Sequence, residues 1–130
     1  MNRFRADASA EREALFEDAI EAHRARESPY CTFEADAEVE DDAEEPAWIQ
    51  FGESVLNLDC TDEELDRLKG LLEEFPAFTI EELNSPENAQ GTNVRISAYA
   101  DEERVATFVE RCFREVYGQP DGYAAWATEV

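Results

Sequence analysis

The hydrophobic period of residues 52–116 switches between two and 3.6, and the order of the switches restricts this chain to few folds. GESVLNLDC alternates with period two, and TDEELDRLKGLLEEF repeats at 3.6. FTIEELN and NVRISAYA return to two, and DEERVATFVERCFREV ends at 3.6. The pattern predicts strand, helix, strand, strand, helix. That is the split β-α-β (ferredoxin-like) order, in which two helices cover one face of an antiparallel sheet. The expected class is α+β.

The helix at the centre of this stretch carries its own start signal. Thr61 stands at the N-cap and Glu64 follows three residues later, so hydroxyl and carboxylate can each bond the other's backbone N–H. Asp62, Glu63 and Glu64 place negative charge at the positive end of the helix dipole. Leu65, Leu68 and Leu72 form one apolar stripe, and Pro76 sets the far limit.

The flanking residues fill out the sheet. A helix is predicted over 8–27, with Leu15, Phe16, Ala19, Ile20 and His23 on one face, while residues 1–7 read as loose. Residues 30–40 alternate strictly, with Cys31, Phe33, Ala35, Ala37 and Val39 inward. Ile49 and Phe51 return as the second strand of a hairpin. The acidic run 41–46 between them reads as a solvated tip. It has no register with the Gly and Glu that an EF-hand calcium loop requires. Gly52-Glu53 marks a tight turn or a bulge, and Ser85 to Gly91 a longer loop in which Ser85-Pro86 opens a helical turn. Asp101 caps the second long helix, whose Val105, Phe108, Val109, Cys112, Phe113 and Val116 form its apolar stripe; Gly118 closes it. Tyr123 to Val130 is expected to dock, as a last, edge strand of its own sheet or else across to a second subunit, because Tyr123, Trp126 and Val130 are too apolar for a free end. One domain, residues 1–130, accounts for all of this.

Charge decides which partners are plausible. Asp and Glu number 33 against 11 Lys and Arg, a net −22; ten of the eleven are Arg, and Lys69 is the sole Lys. With 43% hydrophobic residues and eight Phe, the chain is a packed protein with an acidic coat. Such a coat suits molar salt, where a Debye length of about 3 Å screens its self-repulsion. Phosphate backbones have no basic patch to bind, so no nucleic-acid partner is expected. No apolar run approaches the length of a membrane span. Three cysteines without C-x-x-C spacing, and no signal peptide before them, point to a reducing cytoplasm.

Candidate chemistry is sparse. Cys60 precedes a helix N-terminus, where a thiol pKa can fall, but Asp59, Asp62 and Glu63 oppose that shift. His23, the one histidine, continues an apolar face and reads as a packing residue; no cysteine stands at helical spacing from it. Cys112 lies within a core stripe. No nucleotide, nucleophile-elbow or cofactor motif occurs, so neither metal nor cofactor is expected. The less ordinary feature is a strand face carrying Arg95, Ser97 and Tyr99, next to Val55, Asn57 and Asp59 on the strand before the central helix. This mixed face suits a small anionic ligand, the first helix, or another subunit; the plainer reading is Arg95 paired with a neighbouring carboxylate.

The segment LFEDAIEAHRARESPYCTFEA and the alternating strand from Cys31 to Val39 resemble small acidic proteins of haloarchaea that form an uncharacterised family. The resemblance implies a location and a class, and no activity. The sequence therefore reads as a non-enzymatic cytosolic interaction or small-ligand-binding module adapted to high salt, homodimeric through a sheet face or edge. A small enzyme using Cys60 or His23 in a pocket is the alternative.

Overall fold

A computed structural model describes residues 4–26, 31–35, 47–85 and 91–128. Seven strands and three helices follow in the order β1 (Phe4–Ala6), α1 (Ser9–Arg26), β2 (Cys31–Ala35), β3 (Trp48–Gly52), β4 (Val55–Cys60), α2 (Asp62–Leu72), β5 (Phe78–Asn84), β6 (Thr92–Ala98), α3 (Glu102–Arg111) and β7 (Ala125–Thr128). The strands form one sheet in the order β1-β7-β2-β3-β4-β6-β5, antiparallel at every pairing. The class is α+β.

Local chemistry explains each boundary. The Thr61 hydroxyl accepts the Glu64 N–H at 3.2 Å, and the Glu64 carboxylate accepts the Thr61 N–H at 2.9 Å. The Asp101 carboxylate accepts the Arg104 N–H at 3.0 Å at the start of α3. Beyond Arg111 this helix widens into a π-helical segment, Cys112–Val116, where the Tyr117 N–H reaches back five residues to the Cys112 carbonyl. Gly118, at φ +72°, then reverses the chain in the left-handed conformation that glycine adopts without strain. Gly52 to Val55 is a two-residue hairpin turn. Glu53 and Ser54 both have positive φ, as the primed turns that match strand twist require.

The helices lie together on one face, with α3 between α1 and α2. Alternate strand residues supply the floor beneath them: Cys31, Phe33, Ile49, Phe51, Leu56, Leu58, Val94, Ile96, Ala125 and Ala127 are all buried. Phe16 of α1 meets Phe33 edge-on at 4.9 Å between ring centroids, and Phe108 of α3 meets Phe78 at 4.8 Å. All six residues of the stripe from Val105 to Val116 are buried in this core.

Several expectations need correction. The C-terminal segment is no edge strand: β7 is an interior strand between β1 and β2. The outer place goes to Phe4–Ala6, in the stretch expected to be loose, because three residues are too few to show a period. The β2–β3 hairpin separates β7 from β4, so the strand after α3 lies three places from β4. Alpha-1 packs on the helix face, not against Arg95. Alpha-2 ends at Leu72, before Pro76. The inward positions Ala37 and Val39, the acidic run 41–46, the Ser85-Pro86 turn beyond Ser85, and Val130 lie outside the described residues.

Candidate functional site

Because three helices cover one face of the sheet, every second strand residue is left on the other, and no described helix crosses it. Register builds this open face in rows. Thr32 of β2 pairs with Gln50 of β3, Gln50 with Asn57 of β4, Asn57 with Arg95 of β6, and Arg95 with Glu82 of β5. A second row runs from Arg5 of β1 through Trp126 of β7 and Glu34 of β2 to Trp48 of β3. Arg95 is exposed, while Thr32, Glu34, Trp48, Gln50, Asn57 and Ser97 are half-buried. Asn93 links the first row to its neighbour, donating to Asn57 at 2.8 Å and Asp59 at 2.9 Å.

Of the residues singled out from sequence, Arg95 and Ser97 share this face, with Asn57 and Val55 opposite them in register. Tyr99 lies beyond the end of β6 and is 70% exposed. The sheet edges are poor docking rails. Beta-1 has three residues, and β5 has a bulge between Ile80 and Glu82 with Glu81 and Glu82 exposed. A depression of about 320 Å³ at the first turn of α3 is lined by Asp101, Glu103, Arg104 and Thr107. Its Asp101 is the helix cap.

The enzymatic candidates sit behind the sheet. Cys31, Cys60 and Cys112 are buried free thiols. Burial pushes Cys31 and Cys60 up to about 12, the Glu64 carboxylate adding to the shift at Cys60, and burial raises Cys112 as well. At neutral pH all three are protonated and poor nucleophiles. His23 is 4% exposed, with its ring edge-on to Phe51 at 5.6 Å and its Nδ1 buried without a hydrogen-bond partner among the described residues. Burial first, then neighbouring Arg24, lowers its pKa, so the ring stays neutral. The Arg24 guanidinium also lies over the Phe51 ring, 5.5 Å from its centroid, and donates to Glu102 at 2.7 Å and the Ala100 carbonyl at 3.1 Å. Among the described residues, no group of three or more His, Cys, Asp or Glu side chains is placed to hold a metal ion.

Sequence reasoning missed a sealed polar cluster. Arg12 of α1, 0% exposed, forks onto Glu110 of α3 with Nε and Nη2 at 2.9 and 2.8 Å. Its Nη1 donates to the Tyr123 carbonyl at 2.9 Å, and the Tyr123 hydroxyl donates to Glu110 at 2.8 Å. The guanidinium also stacks 4.0 Å from the Tyr123 ring centroid. The signal was present: Arg12 stands one turn before Phe16 on the inner face of α1, and Glu110 directly follows Val109 on the apolar stripe of α3. Each guanidinium nitrogen and the Tyr123 hydroxyl has a partner within the protein, so the cluster ties α1, α3 and the approach to β7 together.

Among the described residues no helix is long and apolar enough to cross a membrane. Neither a curated protein nor a solved structure matches the chain. A family model does, along its whole length. With residues 1–130 matched, the chain belongs to a family of unknown function, DUF7975.

Proposed function

We propose that this protein is a non-enzymatic binding module of a salt-rich cytoplasm that holds a small ligand on the open face of its sheet. One observation carries the reading: the row Thr32, Gln50, Asn57 and Arg95 lines up hydrogen-bonding side chains across four adjacent strands on the face that the helices leave uncovered. A rigid sheet holds such groups in fixed geometry, which favours recognition. Burial of all three thiols and of His23 supports a non-enzymatic role, because the groups best suited to neutral-pH chemistry face the core. The net −22 supports adaptation to salt, and three free thiols support a reducing compartment.

The test is thermal melting in molar potassium chloride against small organic anions, zwitterions and ammonium compounds, for the wild type and an Asn57→Ala/Arg95→Ala variant. The reading expects at least one class to raise the wild-type midpoint and to do so less in the variant. Sedimentation of both proteins runs alongside. If no class shifts the midpoint, and a wild-type dimer dissociates in the variant, the face belongs to a second copy of the chain.

A further inference from the structure

We infer that Arg95, the side-chain amide of Asn57 and the Ser97 hydroxyl hold the carboxylate of a small organic acid on the open face. This rests on the reading of that face as a ligand surface, and it names the chemistry of one end of the ligand. Elsewhere in the protein the guanidinium groups are engaged. Arg12, Arg24, Arg67, Arg111 and Arg114 each donate to a protein oxygen, and Arg104 lies 5.8 Å from the Phe75 ring centroid. Arg95 makes no hydrogen bond or ion pair among the described residues, although the chain carries 33 Asp and Glu.

The hydrogen bonds around Asn57 fix which way its amide is turned. An ionised Asp59 carboxylate only accepts, so the Asn93 atom 2.9 Å from it is the amide nitrogen. The same nitrogen lies 2.8 Å from Asn57, which therefore presents its oxygen there. Asn93 and Asp59 stand opposite each other on one side of the Asn57–Arg95 pair, and Val55 and Ser97 on the other. With its oxygen turned to the Asn93 side, Asn57 directs Nδ2 away from it, and that nitrogen has no partner among the described residues. Three donors without an acceptor thus border one patch of the β4–β6 ladder. A planar, singly charged acceptor matches them. A carboxylate fits the guanidinium fork in shape and in charge. A phosphate dianion brings a second charge that one guanidinium does not offset, on a chain of net −22. Glu82 is the native competitor, because it pairs with Arg95 in register from the edge strand β5 and is exposed. It lies on the far side of Arg95 from Asn57, about 10 Å from the line of β4, and so does not reach Nδ2. A solvated contact between Glu82 and Arg95 is weak, and a ligand that meets both groups outcompetes it.

The experiment exchanges potassium chloride for potassium acetate, mole for mole at constant molar potassium, in the full-length protein. Heteronuclear NMR follows the side-chain amide signals of Asn57. A saturable shift is expected, with half-saturation on the order of 10 mM. Arg95→Gln should abolish it. Arg95→Lys, which keeps the charge and loses the fork, should weaken it about tenfold. Glu82→Gln should tighten it about twofold to threefold by removing the competitor. Inorganic phosphate should bind more weakly than acetate. Circular dichroism confirms that each variant is folded. A linear response, one undiminished in Arg95→Gln or Arg95→Lys, or one stronger with phosphate overturns the subsite. So does a shift of the Asn57 signals on dilution without acetate, because the face then belongs to a second copy of the chain. If the subsite fails while an ammonium compound still raises the melting midpoint of the wild type and not that of Asn57→Ala/Arg95→Ala, the reading of the face survives; if that dependence is missing too, both fall.

Discussion

The two faces of the sheet are built from the same strands, residue by residue in alternation, and they have opposite chemistry. Toward the helices, β2 gives Cys31, Phe33 and Ala35, all buried; on the open side it gives Thr32 and Glu34. Beta-4 gives Leu56, Leu58 and Cys60 on one side, and Val55, Asn57 and Asp59 on the other. The covered side also holds a buried ion pair, whereas the ionic and amide groups of the open face are half-buried or exposed. The contrast teaches where stability resides. Burial makes the first face costly to alter, and exposure leaves the second tolerant of change.

The sharpest way to break the comparison is through the covered face. Arg12→Met leaves the Glu110 carboxylate buried without its partner and should cost about 3–5 kcal/mol in denaturant unfolding. Arg12→Met combined with Glu110→Leu should recover most of that loss, because apolar side chains of similar volume do not leave a charge stranded. A double variant as unstable as the single one would mean that the pair contributes net stability beyond the cost of leaving it broken.

Salt should act next most strongly, and on the whole coat. With net −22, the melting midpoint should fall by several degrees between molar and tens-of-millimolar potassium chloride as screening is withdrawn. Glu17 reports the crowding locally: burial, then Glu103, Asp18, Glu21 and Glu102, raises its pKa. A midpoint indifferent to salt would remove the support for high-salt adaptation.

His23 gives a smaller effect with a definite sign. Its folded pKa lies below the ordinary 6.5, so below pH 6.5 the unfolded chain takes up a proton that the folded protein resists. The stability it contributes is present in full above pH 6.5 and declines as pH falls toward the folded value. His23→Leu should flatten the stability profile just below pH 6.5 relative to the wild type. Equal slopes would show that the ring is solvated in solution.

How much of this was legible in the sequence depends on whether a signal was local. Thr61 with Glu64, Asp101 as a cap and the stripe from Val105 to Val116 are short-range patterns, and the structure has each of them. The Arg95–Asn57 proximity was legible as well, since both follow from alternation on strands that proved to be neighbours. The position of β7 was not, because nothing in Ala125–Thr128 records which strands flank it. The Arg12–Glu110 pair spans 98 residues and required the α1–α3 contact to be known first. Trp48 and Trp126 became a pair only once β2 was placed between β3 and β7.

The smallest effects on folding should come from the open face. Gln50→Ala, Asn57→Ala and Arg95→Ala should each change stability by no more than about 0.5 kcal/mol in denaturant unfolding, against several for Arg12→Met. A loss above about 2 kcal/mol at any one of them would make that residue part of the folded framework.

Acrylamide quenching of native indole emission tests most directly whether that face is open in solution. Trp48 and Trp126 are the only indoles and both lie on it, half-buried. In molar potassium chloride the folded protein should be quenched readily, to the same extent at every protein concentration. Quenching that is weak in the concentrated folded protein, and rises on dilution or only on unfolding, would contradict the account, because the face would then be covered.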